Sequence, residues 1–254
     1  MMHTGAADIL IQQGKKLFEA PKRFLKFTNN EKADSLLNDL ESFPHAYVLA
    51  CIMDRQIPAE RAWIIPYRIS EKIGGFQFPK IHALTQEQIR SLMAEPDPLH
   101  RFVDEMSLNF YEAVSLIADR YAGSAANIWA DKPSSAELVY RFLEFRGVGQ
   151  KIGTMAANIL ARDFKVPLKD YYSIDISVDI QVRRVFERLE LVEPASSVER
   201  IIYRARSLHP EFPGLLDFPT WEVGRNWCRP SSPNCAGCYL QRACPSAHKH
   251  GEAK

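Results

Sequence analysis

Phe145-Arg146-Gly147-Val148-Gly149-Gln150-Lys151 is a two-glycine turn wedged between two segments with helical spacing of apolar residues, Glu137 to Phe145 before it and Gln150 to Leu160 after it. The pattern predicts helix, hairpin, helix, because glycine takes positive φ without strain and leaves no side chain at the turn. The amides that open the second helix are then accessible, and an anion suits them: unpaired N–H groups and the positive end of the helix dipole both favour negative charge. A duplex backbone supplies phosphates at regular intervals. An ordinary tight turn between packed helices would carry the same glycines. Lys151 favours the first reading, since it lies on the first turn of the helix, where it can project from the hairpin.

The rest of the chain is helical in pattern. Residues 5 to 19 and 31 to 42 show helical periodicity, and His45 to Gln56 is a strongly apolar helix that ends abruptly at Asp54-Arg55-Gln56-Ile57-Pro58. Pro58 suits the first turn of a helix running through Trp63 to Ile73, stopped by Gly74-Gly75. Phe76 to Ala83 is short and mixed and is expected to be loop. Thr85 to Gln88 forms a capping box for a helix to Met93, and a long helix is expected from about Arg101 to Tyr121. Ser134 to Glu137 is a second capping box, opening the first hairpin helix. Beyond the hairpin, Ile180 to Leu189 is helical, with Asp179 at its start, and Ser196 is expected to cap a helix to about Leu208. No alternating strand, internal repeat or low-complexity segment interrupts this pattern.

Four of the five cysteines, Cys228, Cys235, Cys238 and Cys244, have the form C-x6-C-x2-C-x5-C. They can converge on one centre only if the loop folds around it, and soft thiolates select zinc or an iron-sulfur cluster. Zinc sites usually show two tight C-x2-C pairs, whereas this segment has one, which favours the larger cluster. Cys51, alone in an apolar helix, is expected to be a buried core thiol.

Taken together, the hairpin, the segment Val178-Asp179-x-x-Val182-x-Arg184 and the cysteine loop resemble, in the same order, the endonuclease III family of helix-hairpin-helix DNA glycosylases with a C-terminal iron-sulfur loop. The resemblance runs from about His45 to Cys244. It implies an all-α protein of two helical lobes flanking a DNA-binding cleft, with a barrel at about 36–165 and a cluster lobe built from 1–35 and 166–254. It implies a [4Fe-4S] cluster on the four cysteines, and duplex DNA containing a lesion or mismatch as partner. In the family, a lysine at the position of Lys151 is the nucleophile of members that also cut the strand, and the aspartate at Asp179 faces it. Gln56 would fill the gap left by a rotated-out nucleotide, and Gly147 and Gly149 would bring the hairpin against the DNA backbone.

This sequence departs from the family pattern in several places. Phe145-Arg146 replaces Leu-Pro, Ile152-Gly153 replaces Thr-Ala, and Gln181 stands where many relatives have histidine. The corner at Gln56 is Asp-Arg-Gln-Ile-Pro rather than Ser-x-Gln-x-x-Asp, and Lys151 and Asp179 are about ten residues further apart than usual. Asp175 is a rival to Asp179, although Val182 and Arg184 keep the motif's register on Asp179. A carboxylate at a helix start is also an ordinary cap. These changes surround the expected lesion pocket, so the base excised is left open.

Charge says little by itself, since the formal net charge is only +1, but the tail is locally basic: Arg225, Arg229, Arg242, Lys249 and Lys254 stand against Glu252 alone. Arg225, Arg229 and Arg242, beside the cysteines, are candidates to bind phosphate, or are simply solvated. No apolar run approaches the ~20 residues of a membrane helix, and Met1 to Lys16 lacks a secretory h-region. A monomer located in the cytoplasm or on the nucleoid is the expectation.

Overall fold

The computed structural model describes residues 5–247; Lys249, Glu252 and Lys254 of the basic tail lie outside them. Among the described residues there is no strand, and no helix is long and apolar enough to cross a membrane. The helices follow as α1 (Ala6–Glu19), α2 (Glu31–Asn38), α3 (Pro44–Met53), α4 (Ala59–Trp63), α5 (Ile65–Ile73), α6 (Phe78–His82), α7 (Gln86–Ala94), α8 (Val103–Arg120), α9 (Ser135–Leu143), α10 (Gln150–Arg162), α11 (Ile180–Arg188), α12 (Val198–Leu208) and α13 (Asp217–Asn226). The described residues divide into two compact units, one of residues 23–133 and 137–156, the other of residues 5–22, 134–136 and 157–247.

The first unit is assembled around α3. Every residue from Pro44 to Met53 is buried, as its nearly unbroken apolar sequence demands, and α2, α4, α5 and α8 pack against it. Tyr47 donates its hydroxyl proton to the Ala156 carbonyl at 2.8 Å, tying α3 to α10. His45 Nε2 lies 2.6 Å from the Phe76 carbonyl, and burial holds this imidazole below its usual pKa. The capping box of α7 forms as expected, with Thr85 Oγ1 accepting from the Gln88 amide and Gln88 Oε1 accepting from the Thr85 amide.

Two local expectations are corrected. The helix from Pro58 to Ile73 is split at Ile64, because Pro66 has no N–H to continue the ladder across the break. Phe76 to Ala83 is not all loop but contains α6, five residues long with Pro79 in its first turn, too short to show a period.

In the second unit, α1 packs on the 3-10 turn Pro213–Leu216, and α11 packs on α13. Gly14 makes the first contact possible: a Cβ there would lie far inside contact distance of the Leu215 carbonyl. Leu10, Ile176, Val182, Phe186, Ile201 and Leu216 form the centre of this core. Tyr171 stacks on Phe212 with centroids 4.8 Å apart, whereas Tyr172 is exposed. The cap of α12 is Ser197, which accepts from the Arg200 amide, rather than Ser196; the latter is turned inward and donates to the Glu193 carbonyl.

Candidate active site and nucleic-acid interface

The hairpin between α9 and α10 is anchored by Phe145 and Val148, both buried, while Gly147 and Gly149 lie at the surface. The two glycines are there for different reasons. Gly147 has φ +80°, and a Cβ on it would collide with the Asn109 amide, so the fold itself requires glycine. Gly149 has no positive φ, and nothing lies within 4 Å of the position a Cβ would take. Its carbonyl receives the amides of Ile152 and Gly153, starting α10, while the amides of Gly149, Gln150 and Lys151 have no hydrogen-bond partner among the described residues. Nothing among the described residues requires glycine at 149.

Lys151 projects from the first turn of α10 with its side chain 40% exposed, and its Nζ donates to Asp54 Oδ2 at 2.9 Å. Asp54 is the C-terminal cap residue of α3, and its side chain is only 11% exposed. Beneath the pair lies Cys51, fully buried, whose thiol is pushed up by burial, with the neighbouring Asp54 charge adding to the effect. The sequence did not single out Asp54. The signal that could have found it is a carboxylate at a helix C-terminus, where the dipole disfavours negative charge.

Gln56 sits on the corner after α3, exposed and at φ +54°, a left-handed conformation uncommon for a residue with a side chain. The corner is held through the residue just before it. His100 Nε2 is 3.1 Å from the Arg55 carbonyl, and Arg55 pairs with Glu105 at 2.7 Å.

In the second unit, Asp179 caps α11: its Oδ1 accepts from the amides of Gln181 and Val182, each at 2.8 Å, and Oδ2 accepts no hydrogen bond among the described residues. Asp175 is differently placed. Its side chain is 4% exposed, and both oxygens are gripped by Arg206, at 2.7 and 2.8 Å. Asp217, also missed by the sequence reading, is buried and accepts from the Ser177 amide at 2.6 Å, two residues before Asp179; burial pushes its carboxyl up to about 6.

Cys228, Cys235, Cys238 and Cys244 all line one cavity, walled also by Val185, Arg188 and Leu240. Burial raises the Cys238 and Cys244 thiols, and the neighbouring thiols raise them further. Among the described residues no three His, Cys, Asp or Glu side chains are grouped closely enough to hold a single metal ion. Arg188 Nη1 donates to Cys228 Sγ at 3.3 Å, and Arg184 Nε to the Cys228 carbonyl at 2.6 Å. Arg225 lies over the Trp221 ring, 5.1 Å from its centroid, and Arg229 and Arg242 are exposed.

No family model matches the sequence, and the comparison with curated proteins returns no match. Solved structures do match. A trapped endonuclease III–DNA covalent intermediate aligns with a TM-score of 0.62 and 19% identity, covering 99% of this chain and 100% of that one. A thermostable thymine-DNA glycosylase aligns with a TM-score of 0.61 and 14% identity over 96% of this chain and 97% of that one. The 8-oxoguanine glycosylase/lyase of Clostridium acetobutylicum, bound to double-stranded DNA, aligns with a TM-score of 0.53 and 18% identity over 76% and 67%. At these identities the likeness fixes architecture: the chain has the all-α fold of the helix-hairpin-helix DNA glycosylases.

Proposed function

We propose that this protein is a DNA glycosylase of base excision repair with an associated lyase activity, acting on a damaged or mismatched base in duplex DNA. The observation that carries the reading is Lys151, a partly exposed amine on the first turn behind a hairpin whose second glycine leaves open space at the start of α10. Two of the matching proteins are described as glycosylases of thymine and of 8-oxoguanine, and endonuclease III as covalently trapped on DNA, which supports the same substrate class here.

In this reading the amides of Gly149 to Lys151 bind phosphate, and the target nucleotide is flipped out at a cost of roughly a few kcal/mol, lowered by damage or mispairing. Gln56, on its strained corner, fills the vacancy. Lys151 attacks the sugar C1′, displaces the base and forms a Schiff base, after which β-elimination cuts the strand. Asp179, with Oδ1 committed to the cap, would use Oδ2 to stabilise the developing positive sugar. Asp175 is a poor candidate for that role, since Arg206 already holds both of its oxygens.

The four cysteines would hold a [4Fe-4S] cluster. Their shared cavity supports that assignment, and the cluster would serve to fold the loop carrying Arg229 and Arg242. The barrel and cluster lobes would correspond to the two compact units of the chain.

Borohydride trapping tests the reading, on duplexes carrying an abasic site, thymine glycol, or a G·T or G·U mismatch, with Lys151→Ala alongside. A covalent band that requires Lys151 is the expected result, and the lesion giving it names the substrate class. One observation favours a second reading: Lys151 rests in an ion pair with Asp54, the state of a cation that binds phosphate while Asp179 activates water. Alkali-sensitive strands without a trapped band would select that monofunctional enzyme, and neither signal would select a binding protein or a lesion outside the panel.

A further inference from the structure

We propose that Asp54 is the proton acceptor that frees Lys151 for attack, a role that rests on the lyase reading and adds to it a residue that the family pattern does not contain. The corner that ordinarily begins with serine begins here with a carboxylate. Three features of the structure point to this role. Asp54 Oδ2 is 2.9 Å from Lys151 Nζ, within direct proton-transfer distance. The carboxylate is largely shielded from water while the amine is open on its other side, so the pair faces an incoming sugar with Lys151 in front. The spacing is also fixed by a second tie between the same two helices, the Tyr47 hydroxyl to the Ala156 carbonyl, two turns back along α3.

A solvated surface acid would not need any of this. At the end of α3, a helix buried at every position, a carboxylate opposes the dipole and lies over an apolar core, so its presence is offset mainly by the lysine. Cys51 and Tyr47, titratable groups on the same helix, are buried, and the Tyr47 hydroxyl already donates its proton to the Ala156 carbonyl.

The step balances as follows. The Lys151 ammonium passes one proton to Asp54 Oδ2 and keeps the lone pair. That pair forms the Nζ–C1′ bond as the bond from C1′ to the base breaks, and the base leaves with its electron pair. The base then takes the proton from Asp54, which returns to carboxylate. On a preformed abasic site, Nζ adds to the C1′ aldehyde, and the same proton leaves with the hydroxyl as water, giving the iminium that borohydride reduces.

The test is single-turnover borohydride trapping on a preformed abasic duplex, which does not depend on the identity of the excised base. The proteins are wild type, Lys151→Ala, Asp54→Asn, Asp54→Glu and Asp54→Ser, each also measured for affinity to a duplex with a non-cleavable abasic analogue. The expected result is that Asp54→Asn and Asp54→Ser bind with unchanged affinity but trap about 10²-fold more slowly, with Asp54→Glu at least ~10-fold faster than either. A structural role gives the opposite order, because Asn keeps the length and shape of Asp and still offers an acceptor oxygen, whereas Glu is one methylene longer; Asn near wild type with Glu impaired would overturn the proposal. So would trapping by Asp54→Asn at the wild-type rate, and the lyase reading would then stand. If Asp54→Asn melts early, Asp54→Ser carries the same expectation. No trapping by wild type would overturn the lyase reading, and this proposal with it.

Discussion

Three glycines within seven residues, Gly147, Gly149 and Gly153, respond differently to the same methyl group, and the difference separates what the fold needs from what a ligand needs. At Gly147 alanine must adopt φ +80°, at roughly 1–2 kcal/mol, and must also displace the Asn109 amide that receives the Arg146 side chain at 3.1 Å. A loss of about 2–3 kcal/mol follows. At Gly153, inside α10, the added Cβ meets Leu143 Cδ2 at 3.5 Å and Phe142 Cβ at 3.7 Å, ordinary contacts, so Gly153→Ala gains roughly 0.5–1 kcal/mol from helix propensity and lower chain entropy. At Gly149 there is neither positive φ nor a neighbour, and alanine changes stability by no more than about 0.5 kcal/mol. Urea denaturation ranks the three. Fluorescence anisotropy on an abasic-analogue duplex then reads binding, and here Gly149→Ala is the variant expected to weaken affinity, by about tenfold or ~1.4 kcal/mol, since the methyl stands where a phosphate would approach the amides. Gly149→Ala with wild-type affinity would refute the reasoning that this glycine clears space for DNA. Gly149→Ala as unstable as Gly147→Ala would refute the structural separation itself.

Other variants test the carboxylates and the thiols. Asp179→Asn keeps a good cap, so stability stays within about 0.5 kcal/mol while base excision and trapping fall by at least ~10²-fold; Asp175→Asn does the reverse, losing about 1–3 kcal/mol with the Arg206 pair and leaving turnover per folded molecule unchanged. Asp217 has a carboxyl raised to about 6 when folded against 3.8 unfolded, so the folded state binds the proton more tightly and stability falls as pH rises across that window. Asp217→Asn, whose side-chain oxygen can still accept from Ser177, is expected to be more stable than wild type at pH 7.5 by about 1–3 kcal/mol and to lose that advantage at pH 4, as read by urea denaturation at both. Iron and sulfide analysis of the purified protein should give about four of each per chain, with Cys238→Ser losing most of it and Cys51→Ser unaffected, because Cys51 is buried in α3, in the other compact unit from the cavity that the four thiols line.

Most of the helical fold was legible because its signals are local. The periodicity of α1, α7, α8 and α10 and the box at Thr85 depend on residues within a few positions of one another. What stayed hidden was either too short to carry a period, as in α6, or decided by a contact distant in sequence. Gly14 gives no sign in its own helix that the Leu215 carbonyl will press on it, and Arg188 gives none that it will donate to Cys228.

The site divides in the same way. Gly147 and the capping position of Asp179 follow from local chemistry, whereas Asp54 meets Lys151 across nearly a hundred residues, a pairing no window of sequence contains. Yet Asp54 was not silent. It breaks a local rule, a negative charge at the negative end of a helix, and a residue that opposes its own element must be offset by something elsewhere in the fold. Gly149 carries the complementary message: a residue chosen for freedom that its backbone does not use and for space that its neighbours do not need. Such mismatches mark where the requirement comes from outside the element, and in this chain both occur beside Lys151.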